Sequence, residues 1–410
     1  MTPAGPPLRL TPFRATTYAA GTDLAAVVCP PYDVIGDRAL AEFEAHDPHN
    51  IVHLTLPRAL PGDDRYAGAA RALREWRAAG VLRRDPAPAL YVYEHVTTGG
   101  ATIGLVGGVG LDGPVLPHEN TFPGPVADRA ALMHATRMQL EPILLTYDGG
   151  GAASEVVDHA AGTEPHLEFT VAGETHRIWR VDQPGPLAAI AADLAGRTAL
   201  IADGHHRFAA YRAVHAAGPV PHATDHGLAL LVDAARHPLE LRGIHRSVAG
   251  LALDEAAAAA AKGFDVVDLA ADVDPAAALD GERGTAFVIG DGQRQVLLRS
   301  PRPSVLADAV PAGRPDGWDA LDAAVLVDVL LAYLWGVDDA DPRVTYHHDG
   351  RDSLRAAARD AGIAVLVRPP ALADVLALAA RGERMPRKST SFGPKPWTGL
   401  LMRDLTPDHH

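Results

Sequence analysis

The stretch that decides the fold covers residues 198–212, TALIADGHHRFAAYR. Apolar residues on either side of its polar centre predict the end of a buried strand and then one face of a helix, namely Leu200, Ile201, Phe208, Tyr211 and Val214. Between them, Asp203-Gly204 is a typical turn pair. The sequence therefore predicts a strand that turns through a glycine corner directly into a helix.

The first turn of that helix carries His205, His206 and Arg207. The N-terminus of a helix presents backbone N–H groups and the positive end of the helix dipole, and both favour an anion. We therefore expect a phosphate to bind at Gly204, His205, His206 and Arg207. The alternative is that Asp203 caps the helix and the histidines are polar surface residues.

The composition limits the classes of protein that the chain can represent. A net charge of −14 over 410 residues, without a basic run, argues against binding to nucleic acid. The single cysteine, Cys29, cannot form an intramolecular disulfide. The start of the chain does not read as a signal peptide, and no uninterrupted apolar run reaches the roughly 18 residues of a membrane helix. We expect a soluble cytoplasmic protein that contacts no membrane.

Helical patterns and antiparallel strand pairs alternate irregularly along the chain. Three strand pairs are predicted, in residues 91–109, 169–181 and 286–298, and helices are predicted at residues 63–80, 253–262, 276–279 and 321–335. The regular alternation of a doubly wound sheet is absent. The sequence therefore predicts an α+β fold with mixed or antiparallel sheets.

Composition changes near residues 250 and 310 indicate three parts. Residues 1–250 form the main α/β part with the Asp-Gly-His-His-Arg corner. Residues 251–310 form a small α/β insertion or subdomain. Residues 311–410 form a helical segment and a basic tail that complete the main part.

A second polar constellation lies in residues 117–123, Pro-His-Glu-Asn-Thr-Phe-Pro, followed by Asp128-Arg129. The prolines exclude a helix across His118, Glu119 and Thr121. Glu119 can serve as general base for a hydroxyl or as ligand for a divalent ion that carries a nucleotide. The alternative is a solvated loop before a helix.

Three further segments add polar side chains. The double proline of residues 29–35 holds Tyr32 and Asp33 in fixed directions, as part of a pocket wall or a simple chain reversal. Arg246 follows an apolar strand and can add positive charge to an anion pocket. Residues 385–400 are a basic tail with Lys388 and Lys395, which can alternatively dock on acidic surface.

The twenty histidines raise the question of a metal site. Zinc-type spacings such as H-E-x-x-H are absent, and Mg²⁺ bound by one or two carboxylates and by substrate phosphates fits better. The patterns of P-loop proteins, dinucleotide-binding folds and α/β-hydrolases are absent as well.

Taken together, these motifs resemble the bacterial family called domain of unknown function 1015: residues 12–14, 29–35, 50–54, 117–121 with 128–129, 202–207, 244–246 and 385–390. More distantly, the Asp-Gly-His-His-Arg corner is similar to that of the ParB/sulfiredoxin-like superfamily, in which such a corner holds nucleotide phosphates. Members that resemble it include archaeal free-serine kinases. The resemblance implies a ParB/sulfiredoxin-like core and applies residue by residue to Asp203, Gly204, His205, His206 and Arg207.

The leading hypothesis is a small-molecule kinase that transfers a phosphoryl group from ATP or ADP to the hydroxyl of free serine or a similar hydroxy-amino acid. The expected catalytic residues are Glu119, Asp203 and His206, with Asp203 also a ligand of Mg²⁺. The expected nucleotide-binding residues are Gly204, His205, His206, Arg207, Arg246 and Lys388. The expected residues for the acceptor are Tyr32, Asp33, His118, Thr121 and Arg129. A ParB-like nucleotide-binding switch protein and a metal-dependent hydrolase are the alternatives, and a homodimer is left open.

Overall fold

The computed structural model describes residues 5–59, 64–218, 223–315 and 317–406. The chain divides into two compact units. The first unit comprises Met1–Pro117, Thr121–Glu240 and Phe392–His410, and the second comprises His118–Asn120 and Leu241–Ser391. The second unit is thus almost entirely an insertion into the sequence of the first.

A nine-stranded mixed sheet forms the centre of the first unit. Eight of its strands follow one another in the order Val115–Leu116, Ala199–Asp203, Ile143–Tyr147, His226–Asp233, Gly100–Gly110, Leu90–Thr97, Glu174–Val181 and Leu167–Val171, and the ninth, Leu10–Thr11, pairs with Gly100–Gly110. The strand Ala199–Asp203 is parallel to Val115–Leu116 and antiparallel to Ile143–Tyr147. The two predicted hairpins of this unit, in residues 91–109 and 169–181, are confirmed.

A smaller sheet of four strands completes the first unit, in the order Leu82–Arg84, Ala15–Tyr18, Met402–Asp404 and Met138–Gln139. The helices of this unit are Leu24–Val27, Asp37–His46, Val52–Thr55, Arg65–Ala78, Pro123–Thr136, Ala152–Ala161, Pro184–Leu194 and His205–Ala217, with a short 3₁₀ turn at Tyr32–Val34.

The predicted helix at residues 63–80 is confirmed as Arg65–Ala78. Asp64 accepts a hydrogen bond from the backbone N–H of Tyr66 and so caps the helix, while Leu73 and Trp76 are buried on its inner face.

The second unit contains a six-stranded sheet, in the order Asp265–Leu269, Gln295–Arg299, Ala286–Gly290, Ile363–Leu366, His245–Val248 and Val344–His347. The predicted hairpin in residues 286–298 is confirmed. Two further strands, Glu240–Gly243 and Thr390–Gly393, pair with each other at the ends of the inserted segment.

The helices of the second unit are Leu253–Ala260, Pro275–Asp280, Pro303–Ala309, Asp322–Ala324, Gly350–Arg359 and Leu372–Ala380, with a 3₁₀ turn at Trp318–Ala320 and a π-helix at Val325–Leu334. The helix predicted for residues 321–335 is therefore mostly of the wider π type. Its apolar side chains, including Val325, Leu326, Val329 and Leu330, are buried in the core of this unit.

The division by contacts differs from the predicted boundaries near residues 250 and 310. Residues 251–310 supply three strands of the six-stranded sheet, and residues 311–391 supply two more. The strand Ile363–Leu366 pairs directly with Ala286–Gly290. Both segments therefore belong to one sheet and one unit, and only residues 392–410 return to the first unit.

The two units together have mixed and antiparallel sheets with helices packed against them, which confirms the predicted α+β class. Within the part of the chain that the structure describes, none of the helices is both long enough and apolar enough to cross a bilayer.

Candidate functional site

The predicted corner is present in the first unit. The strand Ala199–Asp203 ends in an irregular register between Ile201 and Asp203, and the helix His205–Ala217 begins two residues after the strand. Gly204 connects the strand to the helix, and its backbone adopts the left-handed conformation, with φ 95° and ψ 31°. As a glycine it has no side chain to cap the helix. A Cβ at this position would lie 2.7 Å from Cγ2 of Ile143. The corner therefore needs glycine for its backbone conformation and for the close approach of Ile143.

The carboxylate of Asp203 lies between two cations. Its Oδ1 is 2.6 Å from Nζ of Lys395, and its Oδ2 accepts a hydrogen bond of 2.5 Å from Nη2 of Arg207. The same Lys395 ammonium donates to Oδ2 of Asp33 at 2.9 Å. Two carboxylates therefore meet one ammonium group beside the first turn of a helix.

Burial opposes the charged form of Lys395, but the carboxylates of Asp203 and Asp33 outweigh it and raise the pKa of the ammonium group. Its side chain is 17% exposed, against 33% for Asp33. Lys395 is thus a protonated, largely buried cation at neutral pH. The chain has only three lysines, the others being Lys262 and Lys388.

Arg207 is a structural partner of this group. Its side chain is buried, and its Nη1 donates to the carbonyl oxygen of Pro142 at 2.6 Å. Oε2 of Glu141 lies 3.8 Å from the same nitrogen. The pKa of Arg207 is raised because Glu141 and Asp203 outweigh the effect of its burial. Its guanidinium therefore orients Asp203, whereas its expected direct contact with phosphate stays a prediction.

Glu141 joins this group to the segment that carries Lys395. Its Oε2 accepts hydrogen bonds from Oγ1 of Thr398 at 2.8 Å and from the backbone N–H of Tyr32 at 3.4 Å. Because Thr398 is three residues beyond Lys395, these bonds hold both the lysine segment and the turn before Asp33.

The ring of Tyr32 lies against two cations. The guanidinium carbon of Arg129 is 4.3 Å from the ring centroid, and that of Arg207 is 6.0 Å away. Burial raises the pKa of Tyr32 to about 12, although both arginines oppose the shift. Arg129 itself is held by the carbonyl oxygen of Thr55 at 2.7 Å and by the carboxylate of its neighbour Asp128. Tyr32 thus lies against Arg129 as well as against Arg207 and Glu141, which belong to the group around Asp203.

The two histidines of the corner differ in exposure. His205 is buried, with 9% of its surface exposed. His206 is half-buried, and its Nε2 accepts a hydrogen bond of 3.0 Å from the backbone N–H of Phe122, on whose ring it also stacks. Because Nε2 of His206 accepts this bond, it carries no proton when the bond forms. Thr121, the residue before Phe122, is exposed.

The remaining predicted residues lie in the second unit, where the segment around Lys388 brings them together. The backbone N–H of Lys388 donates to Oε1 of Glu119 at 3.1 Å, and its carbonyl oxygen accepts from Nη1 of Arg246 at 2.8 Å. His118 is buried and its Nε2 lies 2.8 Å from Oγ1 of Thr390. The predicted site residues thus form two groups, one in each unit.

Arg246 in this second group is fully buried. It donates to the carbonyl oxygens of Ile244 and Arg387 and forms an ion pair with Asp339 at 3.2 Å. These contacts fix the segment 385–390, and the nucleotide-binding role expected of Arg246 stays a prediction.

The contacts of Glu141 and Thr398 have no signal in the local sequence pattern. Glu141 is a single acid between Leu140 and Pro142, and nothing around it indicates chemistry. Lys395 had one signal, because it is one of few lysines and stands between two prolines.

The chain belongs to the DUF1015 family of proteins of unknown function, whose family model matches residues 10–324. No curated protein matches the sequence. Among solved structures, a mutant free serine kinase in complex with ADP is similar over 72% of this chain and 92% of its own, with 15% identity and a TM-score of 0.38. C-terminally truncated SbnI from Staphylococcus aureus is similar over 74% and 90%, with 11% identity and a TM-score of 0.38. A conserved hypothetical protein from Pyrococcus furiosus covers 72% and 95%, with 15% identity and a TM-score of 0.36. Because these TM-scores are below 0.5, the likenesses carry no argument about function.

Proposed function

We propose that this protein is a cytoplasmic small-molecule kinase that transfers a phosphoryl group from ATP or ADP to the hydroxyl of free serine or a similar hydroxy-amino acid. The observation that carries the proposal is the contact of Lys395 with both Asp203 and Asp33 beside the N-terminus of the helix His205–Ala217. The choice of acceptor depends on the resemblance of the Asp-Gly-His-His-Arg corner to that of free-serine kinases.

Phosphoryl transfer requires mainly positioning and the stabilisation of charge on phosphate oxygens. Lys395 supplies a positive charge that the carboxylates of Asp203 and Asp33 hold at the corner, and the first turn of the helix adds the positive end of its dipole. Arg207 and Glu141 do not need to touch the nucleotide, because they orient Asp203 and the lysine segment. The corner is therefore suited to a phosphate that approaches Lys395.

The donor set also fits Mg²⁺. Asp33 and Asp203 carry carboxylates, which are the ligands that Mg²⁺ prefers. Both carboxylates already contact one cation, the ammonium group of Lys395. When bound, Mg²⁺ would neutralise charge on the donor phosphates. Asp203 is the better held of the two, since Arg207 fixes its second oxygen.

A general base has to accept the proton of the acceptor hydroxyl. Glu119 is our proposed base, as expected from its place between prolines. In the second unit its Oε1 accepts a hydrogen bond from the backbone N–H of Lys388, which holds the carboxylate in one orientation. Glu119→Gln retains an acceptor for that bond, and we expect it to lower turnover by about 10² to 10⁴ without loss of nucleotide affinity.

The direct test is to incubate the full chain with Mg·ATP or Mg·ADP and a pool of hydroxy-amino acids, and to follow phosphorus by NMR. We expect a phosphomonoester of one acceptor together with the nucleotide product. Asp203→Asn should abolish this signal, and Lys262→Met should leave it unchanged.

The negative outcomes are distinguishable. Tight binding of nucleotide without transfer to any hydroxyl compound would overturn the kinase proposal and favour a nucleotide-binding switch protein. The absence of nucleotide binding in calorimetry would overturn both.

A further inference from the structure

Two neighbouring strands of the nine-stranded sheet bring two histidines and a glutamate onto one face. His176, in the strand Glu174–Val181, lies directly opposite His95, in the strand Leu90–Thr97. Glu174 is two residues before His176, and side chains two apart in a strand point to the same face. The three side chains therefore share a small area of the sheet.

The potential ligand atoms of this cluster are close together. One imidazole nitrogen or carboxylate oxygen from each of His95, Glu174 and His176 lies within 4.8 Å of the other two. Nε2 of His95 is 2.7 Å from Oε2 of Glu174, and the two imidazole rings stack with centroids 4.4 Å apart. Both histidines are at most 3% exposed, whereas the Glu174 side chain is 33% exposed. The cluster is thus buried but open to solvent through Glu174.

Two nitrogens of the cluster have no hydrogen-bond partner among the described residues. They are Nδ1 of His95 and Nε2 of His176, and both are buried. A buried polar atom without a partner destabilises the folded state, so two such atoms in adjacent rings need an explanation. A bound ion would satisfy a nitrogen lone pair that no protein donor reaches.

The remaining nitrogen of His176 is oriented by Tyr93. Nδ1 of His176 lies 2.9 Å from the Tyr93 hydroxyl, which also accepts a hydrogen bond from the backbone N–H of Trp397. A histidine that binds a metal through one nitrogen usually makes such a hydrogen bond through the other. Tyr93 thus holds the His176 ring with Nε2 available as a ligand atom.

We infer that His95, Glu174 and His176 form a binding site for one divalent first-row transition-metal ion such as Zn²⁺, Co²⁺ or Fe²⁺. Two imidazoles and one carboxylate suit these ions better than Mg²⁺, which prefers oxygen ligands, and they leave coordination positions for water. Ligand atoms around zinc are about 3.3 Å apart. Binding therefore requires small rotations of the three side chains, in which Nε2 of His95 and Oε2 of Glu174, 2.7 Å apart in the structure, separate slightly. The site shares none of its three ligands with the group formed by Lys395, Asp33 and Asp203, and the inference does not depend on the proposed kinase activity.

This arrangement has no local sequence signature. The ligands come from two strands that are distant in sequence, and the fold alone brings them together. The absence of an H-E-x-x-H or paired-cysteine pattern therefore does not count against this site.

The test is to titrate the metal-free full chain with Co²⁺ and record its visible absorption, and then to displace Co²⁺ with Zn²⁺. We expect one Co²⁺ per chain, release by Zn²⁺, and a rise in the melting temperature on binding. His95→Ala and His176→Ala should abolish the absorption. Tyr93→Phe, which removes the orienting hydroxyl, should weaken affinity by about 10–100-fold.

His166→Ala is the matched control, because His166 is an exposed histidine of the same unit. Glu174→Gln covers the case in which a histidine variant fails to fold, since the Glu174 side chain is partly exposed. We expect it to remove the absorption at the concentration that saturates the native chain. Binding that is unaffected by Glu174→Gln and Tyr93→Phe, or that is lost equally in His166→Ala, would overturn the inference, as would the absence of stoichiometric binding by the native chain.

Discussion

Nζ of Lys395 lies 2.6 Å from Oδ1 of Asp203, although the inserted second unit separates the two residues in the sequence. The contact is possible because residues 392–410 return to the first unit after the second unit is complete. It places a largely buried amine, whose pKa the two neighbouring carboxylates raise, at the strand-to-helix corner.

Replacing this lysine should weaken nucleotide binding. A hydrogen bond to a charged group contributes about 1.5–3 kcal/mol, so Lys395→Met should reduce the affinity for Mg·ADP about tenfold or more. Isothermal titration calorimetry measures the change, and Lys262→Met, at an exposed position, is the control. Equal affinities of the two variants, with both folded by circular dichroism, would contradict a role for Lys395 in binding.

Gly204→Ala should destabilise the protein for two reasons that can be separated. Its φ of 95° is unfavourable for any residue with a Cβ, by about 1–3 kcal/mol, and the added Cβ would also collide with Ile143. Gly173 has a φ of +81° but open space around it, so Gly173→Ala carries only the conformational cost.

Chemical denaturation of both variants gives the comparison. A larger loss of unfolding free energy for Gly204→Ala than for Gly173→Ala would measure the collision. If the two losses are the same, the corner accommodates a methyl group and Ile143 moves aside.

Arg207→Ala should lower stability far more than the removal of a surface arginine. The variant removes the buried guanidinium that pairs with the carboxylates of Asp203 and Glu141, and breaking a buried ion pair costs about 3–5 kcal/mol. Arg212, exposed on the same helix, is the control, and its replacement should change stability by less than about 0.5 kcal/mol. Urea unfolding of the two variants decides the matter, and similar midpoints would show that Arg207 is not structural.

The second unit should lose stability in mild acid through His245. Burial, assisted by His347 and Arg246 and opposed by Asp349, lowers the pKa of this imidazole to about 4. In the unfolded chain its pKa is about 6.5, so the unfolded state binds more protons between these values and stability falls as the pH falls from 6.5 to 4. Above pH 6.5 both states are neutral and the effect vanishes. The expected loss from this residue is about 2 kcal/mol at pH 5.

His245→Asn tests this effect, because an amide oxygen can replace Nδ1 as acceptor for the backbone N–H of Val367 and does not titrate. Unfolding free energies measured from pH 7.5 to pH 4.5 should fall less steeply for the variant. Parallel curves for the variant and the native chain would mean that His245 does not contribute to acid sensitivity.

The corner could be predicted because its determinants are local. An apolar strand, the Asp203-Gly204 pair and the helical spacing after it occur within one short stretch, and turn chemistry alone requires a residue that accepts positive φ. Hairpins such as that in residues 169–181 were equally accessible, because each contains its own turn.

The partners of the corner could not be predicted, because they come from distant segments. Nothing near Lys395 or Glu141 indicates that both approach Asp203 or Arg207, and only the folded sheet brings them together. The domain boundaries differed for the same reason. The strand Ile363–Leu366 lies between Ala286–Gly290 and His245–Val248, and such pairings have no signal in composition.

The strand Met402–Asp404 lies between Ala15–Tyr18 and Met138–Gln139 in the four-stranded sheet. During synthesis on a ribosome, the two neighbours of this strand emerge long before the strand itself. The sheet therefore cannot close until residues 402–404 have been translated, and Lys395 cannot reach Asp203 before the second unit has been synthesised. The six-stranded sheet of the second unit, by contrast, has all its strands by residue 366. The order of translation thus lets the six-stranded sheet of the inserted unit form before the site of the first unit is complete.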